Sequence, residues 1–310
     1  MSLTDARAPA QRHRPKLIPS APRPMLSVKQ KMFIARMMNR ALRLARGVAG
    51  RRMRTRCKRM GVEWDLDLDE GIDLSIYLLG AYERSILRAY SSIISPGDVV
   101  FDIGANIGAH TLHFARLAGP TGRVFAFEPT DYASGKMRLN LAINPELARR
   151  VVFQQRFLVA DKTEALPAFV AARWPVANDH DDLDQDHLGK PEALAHAMAI
   201  TADDFCEAEN LGRLDFVKID VDGHEYPVLR GFRRTLERFR PRILIELAPF
   251  LYKENRPSEF DDYVRFIADL GYNFAEARTG RSLPRDPAAL RRRIRAGCAM
   301  NCFALPAGRT

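Results

Sequence analysis

The sequence of 310 residues has few cysteines, few acidic residues near its start and no long uncharged apolar run. Four cysteines are too few for a disulfide scaffold in a chain of this length, which favours reduced thiols and a cytoplasmic setting. The absence of a run of about 18 uncharged apolar residues argues against a transmembrane helix. With 46% hydrophobic and 28% charged residues, the composition is globular and excludes collagen-like and wholly disordered chains.

Charge is distributed unevenly along the chain. Residues 1–60 contain 17 Lys or Arg and a single acidic residue, Asp5, whereas the remaining 250 residues contain 31 Lys or Arg and 37 Asp or Glu. A basic N-terminal region therefore precedes a mildly acidic body, and the overall net charge of +10 does not describe a nucleic-acid-binding core. We expect no nucleic-acid partner.

The N-terminal region divides into two segments. Residues 1–26 carry five prolines and predict a disordered basic arm. Residues 27–63 predict a basic amphipathic helical segment, because at 100° per residue apolar side chains from Phe33 to Val48 fill one arc, and Lys29, Arg36, Arg40 and Arg43 fall on another, narrower face. This segment could contact a membrane surface peripherally through residues 27–60, or pack on its own domain with the basic face in solvent. An Arg-rich, acid-poor start is also typical of organellar transit peptides.

The pattern from residue 64 to residue 310 is that of an α/β domain. A strand pattern at 98–102 leads into the glycine-rich turn 104–108, then a helix, and then a second strand that ends at Glu128. This order is one βαβ unit of a parallel sheet. Further strand patterns follow, with helical segments between most of them, at 151–155, 214–220, 242–246, 272–275 and 299–304. Seven strands predict a Rossmann-like, mostly parallel sheet with helices on both faces.

The glycine-rich turn indicates the type of ligand. Nicotinamide-binding turns read G-x-G-x-x-G, whereas here Asn106 replaces the middle glycine and Asp102 precedes the turn. A carboxylate at this point suits the ammonium group of S-adenosylmethionine better than a pyrophosphate. Glu128, at the end of the next strand, is placed to accept hydrogen bonds from both ribose hydroxyls.

Four motifs, in the expected order, resemble the FkbM family of S-adenosylmethionine-dependent methyltransferases. They occupy residues 101–108 with 126–129, 139–144, 218–225 and 241–246. The resemblance covers residues 64–306. The chain departs from the family's usual pattern at Asp222, where Glu is usual, and at His224, where Ala is frequent. A third departure is Thr201-Ala202-Asp203 in place of Thr-Leu-Asp.

The resemblance implies a class I methyltransferase fold with six parallel strands and one antiparallel strand. It also implies O-methyl transfer to a hydroxyl of a sugar, a glycan or a polyketide-like small molecule. The residues that would hold the methionine end of S-adenosylmethionine are Asp102, Gly104, Ala105, Asn106 and Gly108. Glu128 would hold the ribose, and the adenine is expected near Val159, Ala160 and Asp161.

A second group of polar residues follows the fourth and fifth core strands. Because the carboxyl ends of parallel strands face the ligand crevice, Asp220 and Glu246 should lie beside the transferred methyl group. In one interpretation Asp220 or His224 is a general base and Glu246 orients the acceptor hydroxyl. In a second, Asp220, Asp222 and Glu246 bind a divalent cation, although no ligand spacing here is diagnostic of a metal. In a third, Asp220 and Glu225 cap the following helix and pair with Lys218 or Arg230.

Residues 179–187 form an acidic segment that invites a calcium interpretation. An EF-hand loop starting at Asp182 fails, because His187 and Ala193 stand where Gly and Glu are required. We predict a solvated loop, with a lid over the acceptor as the alternative. Two rival functions remain open alongside O-methylation: N-methyl transfer to an amino sugar, and a catalytically inactive methyltransferase-fold scaffold tethered by its basic arm.

Overall fold

The computed structural model describes residues 25–177, 189–252 and 258–308. The predicted acidic loop and nearly all of the predicted disordered arm lie outside the described residues. The described strands are β1 (Arg54–Arg59), β2 (Val62–Asp67), β3 (Val99–Ile103), β4 (Arg123–Phe127), β5 (Val151–Gln154), β6 (Arg156–Leu158), β7 (Phe169–Arg173), β8 (Lys190–Ala193), β9 (Met198–Ile200), β10 (Phe216–Ile219), β11 (Arg242–Leu247), β12 (Tyr272–Glu276), β13 (Ser282–Leu283) and β14 (Met300–Pro306).

The described helices connect most of the core strands. They are α1 (Val28–Val48), α2 (Gly71–Leu79), α3 (Arg84–Ser91), α4 (Thr111–Ala118), α5 (Asp131–Ala142), α6 (Pro145–Ala148), α7 (Ala202–Ala208), α8 (Glu225–Arg230), α9 (Arg233–Phe239), α10 (Glu259–Asp269) and α11 (Pro287–Arg293), with one 3-10 turn at Pro249–Leu251. None of the described helices is long and apolar enough to cross a membrane. All four cysteines are free thiols.

The central sheet has the strand order β13-β12-β14-β11-β10-β3-β4-β5. Strands β3, β4, β5, β10 and β11 pair in parallel. Strand β14 runs antiparallel between β11 and β12, so β12 points the same way as the parallel strands. The predicted sheet of six parallel strands and one antiparallel strand is therefore confirmed, and the two-residue β13 is an additional edge strand.

Both faces of this sheet are apolar and are covered by helices. Phe101 belongs to an apolar cluster with side chains of α8, α9 and α10, whereas its neighbour Val100 belongs to a cluster with side chains of α3 and α4 on the other face. This division follows from the strand geometry, in which successive side chains point to opposite faces. The helices on both faces that the sequence predicted are thus present, and the fold is α/β and Rossmann-like.

The strand order reverses between β3 and β10. From β3 the chain proceeds outward through β4 to β5, and it then crosses to the other side of β3 to form β10 and β11. In open α/β sheets, ligands bind outside the carboxyl ends of the strands at such a reversal. This point lies between the glycine turn after β3 and Asp220 after β10, whose backbone N–H donates to the carbonyl of Ile103 at 3.1 Å.

The N-terminal region is only partly helical. Helix α1 begins where predicted, with Ser27 and Gln30 forming a reciprocal capping box. The helical prediction is wrong for β1, which pairs antiparallel with β2, and β2 runs across the boundary that we placed between residues 63 and 64. The side chains of Asn140 and Asn144 on the α5–α6 segment bond the backbone of β2, which ties this hairpin to the central domain.

Candidate active site

A cavity of about 1280 Å³ opens at the carboxyl ends of the core strands. This volume exceeds the range of about 300–1,000 Å³ usual for one small ligand, so the cavity has room for a cofactor and an acceptor together. The predicted site residues that it brings together are Gly104, Ala105, Asn106, Glu128, Asp220, His224 and Glu246. The site is therefore assembled at the reversal of strand order.

The glycine turn passes very close to the end of β10. Gly104 has a φ of 76°, and a Cβ atom added there would lie 1.8 Å from the carbonyl oxygen of Asp220. No residue with a side chain fits this contact without moving the backbone. Gly108 has a similar φ of 88° but faces Met137, whose sulfur would be 2.7 Å from an added Cβ, and it does not line the cavity. Gly108 thus serves the packing of the turn on α5.

Glu128 lies at the end of β4 with its carboxylate held by the surrounding backbone. Its Oε2 atom accepts a hydrogen bond from the N–H of Asn106 at 2.9 Å, and its Oε1 atom accepts from the N–H and hydroxyl of Thr130. Burial raises the pKa of Glu128, and the bonds from Thr130 oppose that rise. A carboxylate has about four acceptor positions, so three bonds leave one for a donor in the cavity.

Asp102 does not reach the cavity, although the sequence resemblance implied that it would hold the methionine end of S-adenosylmethionine. It is fully buried below the turn and does not line the cavity. One carboxylate oxygen accepts from the hydroxyl of Thr111 at 2.6 Å, and the other accepts no hydrogen bond from the described residues. That second oxygen lies 3.5 Å from the ammonium of Lys218. The side chain of Asp102 therefore contacts Lys218 and Thr111, and it can affect the glycine turn only through these two residues.

Lys218, which the sequence suggested only as an ion-pair partner of Asp220 or Glu225, occupies the centre of the site. Its ammonium lies between the two acidic residues, 3.5 Å from Asp102 and 3.4 Å from Asp220, and it donates to the carbonyl of Gly104 at 3.0 Å. Burial opposes its charge, but Asp220 and Asp102 raise the pKa of Lys218 above its usual value. The sequence signal was a lysine between apolar residues in a buried strand, a position that requires a partner.

Three carboxyl groups meet at the other side of the cavity. Among the described residues, side-chain oxygens of Asp220, Asp222 and Glu246 lie within 4.8 Å of one another. Burial raises the pKa of Asp220, the Lys218 ammonium opposes this, and the charge of Asp222 adds to it. Burial, followed by the charges of Asp220 and Glu83, raises the pKa of Glu246 well above its usual range. The raised pKa values make Asp220 and Glu246 stronger proton acceptors than exposed carboxylates. The oxygens of all three groups are of the type that divalent cations prefer.

The turn that follows Asp220 explains one departure from the family pattern. Asp222 and Gly223 have φ values of 49° and 93°, a left-handed pair that Asp tolerates better than Glu. The buried carboxylate of Glu225 accepts from the N–H groups of Val221 and Gly223, and the hydroxyl of Tyr252 donates to it. Glu225 therefore shapes the turn that presents Asp222.

The residues expected near the adenine lie away from this cavity. The wall beyond β5 is made by Phe157 and Leu158, and the ring of Phe157 meets that of His224 edge-on at 5.5 Å. Val159 is buried, and its carbonyl oxygen would lie 2.1 Å from a Cβ atom added at Gly231. Ala160 and Asp161 line a separate cavity of about 300 Å³. Phe157 and Leu158 therefore line the main cavity, whereas Val159, Ala160 and Asp161 do not.

Glu83 and His110 form a second polar pair on the cavity wall that sequence reasoning missed. His110 lies 3.7 Å from Glu83, and its other ring nitrogen is 3.1 Å from the hydroxyl of Tyr90. Burial opposes the charge of Glu83, but the neighbouring His110 imidazole lowers the pKa of Glu83 below its usual value. Glu83 precedes α3 with a φ of 43°, a conformation that nothing in the sequence indicated.

Comparison with known proteins identifies related chains. This chain is 26% identical over 158 residues to the hexuronic acid methyltransferase AglP of Haloferax volcanii, covering 50% of this chain and 58% of AglP. It is 26% identical over 171 residues to the 2-O-methyltransferase NoeI of Sinorhizobium fredii, covering 50% and 68%. It is 48% identical over 69 residues to the 31-O-demethyl-FK506 methyltransferase FkbM of Streptomyces tacrolimicus, covering 22% and 25%. The chain thus spans little more than half the length of the first of these relatives.

The family profile gives a wider match. The Methyltransferase FkbM domain matches residues 102–274, more than half of the chain, from Asp102 at the end of β3 to Phe274 in β12. The matched part contains the glycine turn, Glu128, the turn after β10 and Glu246. The resemblance predicted from the sequence motifs is confirmed. The chain belongs to the FkbM methyltransferase domain family.

Proposed function

We propose that this protein transfers a methyl group from S-adenosylmethionine to a hydroxyl of a small acceptor, a sugar, glycan or polyketide-like molecule, in a cytoplasmic setting. The observation that carries the proposal is the opening of Glu128, the glycine turn, Asp220 and Glu246 into one cavity. The names of the three relatives, which specify a hexuronic acid, a 2-O position and a 31-O position, support a hydroxyl acceptor.

The residues present fit the cofactor. Glu128 keeps an acceptor position toward the cavity for a ribose hydroxyl, since its three hydrogen bonds leave one of about four positions open. The backbone of Gly104, Ala105 and Asn106 would hold the methionine end, and Phe157 and Leu158 would flank the adenine. When bound, S-adenosylmethionine supplies an electrophilic methyl group on a sulfonium sulfur.

The carboxyl groups opposite the turn supply the proton chemistry. Asp220, as a carboxylate, would accept the acceptor's hydroxyl proton at a side-chain oxygen, and its raised pKa makes it a better base than an exposed aspartate. Glu246, whose pKa is raised further, would orient the hydroxyl. His224 lines the same cavity and is the alternative base. A divalent cation on Asp220, Asp222 and Glu246 is the second candidate for activating the hydroxyl, favoured by their mutual spacing.

Calorimetric titration with S-adenosylhomocysteine tests the cofactor site. We expect the wild-type protein to bind, and Glu128→Gln to weaken binding by about tenfold or more, the value of a lost hydrogen bond to a charged group. Glu146→Gln on the exposed side of α6 is the matched control and should bind normally. Absence of binding in the folded wild-type protein would overturn the proposal. A screen of uronic acids and glycosides, with and without Mg²⁺, then tests the acceptor and the cation.

A further inference from the structure

Helix α1 packs one face on the domain, where Val28, Ala35 and Leu42 are partly buried, and leaves most of its large apolar side chains in solvent. The buried residues of the helix are Met32, Asn39 and Arg46. Asn39 donates to the carbonyl of Leu68 at 2.7 Å, and Arg46 donates to the carbonyl of Arg52 at 2.6 Å. A helix that only packs on its own domain keeps its apolar stripe inside. Helix α1 does pack on its domain with its basic face in solvent, as one sequence interpretation had it, but most of the predicted apolar arc is exposed as well.

The exposed apolar residues of α1 form a continuous strip. Phe33, Met37, Leu44 and Val48 are between 52% and 93% exposed. At 100° per residue they fall within a 60° arc, and they extend along about 22 Å of the helix. Seven of the thirteen exposed large apolar side chains among the described residues belong to the segment from Leu26 to Val48. Such a concentration marks an interaction surface.

A basic strip borders this apolar strip. Lys29, Arg36 and Arg40 lie 20° to 60° around the helix from Phe33, between the apolar strip and the buried face. The helix contains six Lys or Arg and no Asp or Glu, and no acidic residue occurs from Ser27 to Val62. Apolar side chains edged by cations fit the boundary between the acyl chains and the headgroups of an anionic bilayer.

We propose that α1 docks this protein on anionic membrane surfaces, with Phe33, Met37, Leu44 and Val48 inserted among the acyl chains and Lys29 and Arg40 at the headgroups. A second copy of this chain fits the surface poorly. Two α1 helices packed against each other by a two-fold axis would bring the basic strip of one copy close to that of the other.

The docked orientation has a consequence for the cavity. Leu26, Ile34 and Met38 are exposed on the neighbouring side of the same segment, and they line the cavity together with Leu78 and Leu79 of α2. The apolar surface is thus continuous from the membrane-facing strip to the cavity rim. Docking through α1 turns that rim toward the bilayer.

Co-sedimentation of the full-length protein with lipid vesicles tests this proposal. We expect binding to phosphatidylcholine vesicles containing about 30% phosphatidylglycerol, weaker binding to pure phosphatidylcholine, and loss of most of the difference in about 0.5 M salt. Phe33→Glu and Leu44→Glu should each weaken binding about tenfold, because each loses the insertion of a large apolar side chain. Lys29→Gln and Arg40→Gln should each weaken binding to anionic vesicles about fivefold and leave binding to neutral vesicles unchanged.

Matched controls separate docking from folding and from catalysis. Leu139→Glu and Met198→Glu introduce the same charge at exposed apolar residues outside α1 and should bind vesicles like the wild type. S-adenosylhomocysteine titration of the same samples reports the proposed function independently, since Phe33 and Leu44 do not line the cavity. Equal binding of the α1 variants and the wild type, or no binding to anionic vesicles, overturns the proposal. So does a dimer in solution that Phe33→Glu dissociates while vesicle binding stays absent.

Discussion

The ammonium of Lys218 lies 3.4 Å from a carboxylate oxygen of Asp220, and the two residues stand at the end of the same strand, β10. Because Lys218 also faces the fully buried Asp102 and donates to the carbonyl of Gly104, one cation connects the glycine turn to the proposed catalytic carboxylate. A single side chain thus contacts both the proposed cofactor side and the proposed acceptor side of the cavity.

Removing this cation should destabilise the fold. In Lys218→Met, the carboxylate of Asp102 would remain buried without an ionic partner, and breaking a buried ion pair from one side costs about 3–5 kcal/mol. Urea unfolding measures the loss. Adding Asp102→Asn to this variant should restore part of the stability, since the unpaired charge is then gone. Fully additive effects of the two substitutions would contradict the coupling.

The chemistry of the acceptor can be tested at Asp220. We expect Asp220→Asn to lower kcat by about 10²–10⁴-fold with a hydroxyl acceptor, because the amide cannot take the hydroxyl proton. Binding of S-adenosylhomocysteine should change little. Asp262→Asn on the surface of α10 is the matched control and should leave kcat unchanged. A mild effect of Asp220→Asn together with activity on an amino sugar would instead favour N-methylation, since a neutral amine needs no strong base.

The core of the fold could be predicted because its signals are local in the sequence. Apolar runs such as Val99–Ile103 are bounded by turn residues, and Gly104 and Glu128 stand at strand ends where the order of elements alone places them. The parallel pairing then brings Asp220 and Glu246 to the same edge of the sheet. These relationships depend only on strand direction and on the side of the sheet where parallel strands end.

Other features depend on contacts between distant segments. In β1, Arg54 and Arg56 point outward while Thr55 and Cys57 turn inward, so basic residues alternate along a strand and read as part of a charged arm. Arg54 and Arg56 share one partner, Asp65 of β2, which becomes visible only when the hairpin forms. The exposed strip of α1 was equally hidden, because an amphipathic pattern does not say which face the rest of the protein covers.

The pH dependence of stability should report the proton affinity of Glu246. Because burial and the charges of Asp220, Glu83 and Asp222 raise its pKa, the folded protein holds this proton at pH values where the unfolded chain has released it. The contribution to stability therefore falls as pH rises from the ordinary glutamate pKa through the raised one. Thermal unfolding of Glu246→Gln should give a higher Tm than the wild type at neutral pH and no gain below the ordinary pKa.

A control variant makes this result specific. Glu237→Gln removes a carboxylate from the exposed surface of α9, where it pairs with Arg233, and it should shift the Tm little at any pH. If Glu246→Gln and Glu237→Gln follow the same Tm profile, then the Glu246 carboxyl is not destabilised when it ionises in the folded protein. We expect the gain in Tm at neutral pH to be accompanied by a loss of activity, because functional residues often lower the stability of a protein.

Alanine substitutions at two glycines distinguish the effect of crowding at the turn from the general effect of adding a methyl group. In Gly104→Ala, the new Cβ would meet the carbonyl oxygen of Asp220 at 1.8 Å and the residue would keep a φ of 76°, so the backbone must move. We expect a loss of about 3 kcal/mol or more in the free energy of unfolding. Gly135→Ala lies inside α5 with no atom near the added Cβ, and it should stabilise the protein by about 0.5–1 kcal/mol.

Because the moving atom in Gly104→Ala belongs to Asp220, kcat should fall in that variant even at temperatures where the protein remains folded. Retention of full activity and stability in Gly104→Ala would show that the turn and the end of β10 are not in contact, and the proposed site would then lack the connection between its two halves.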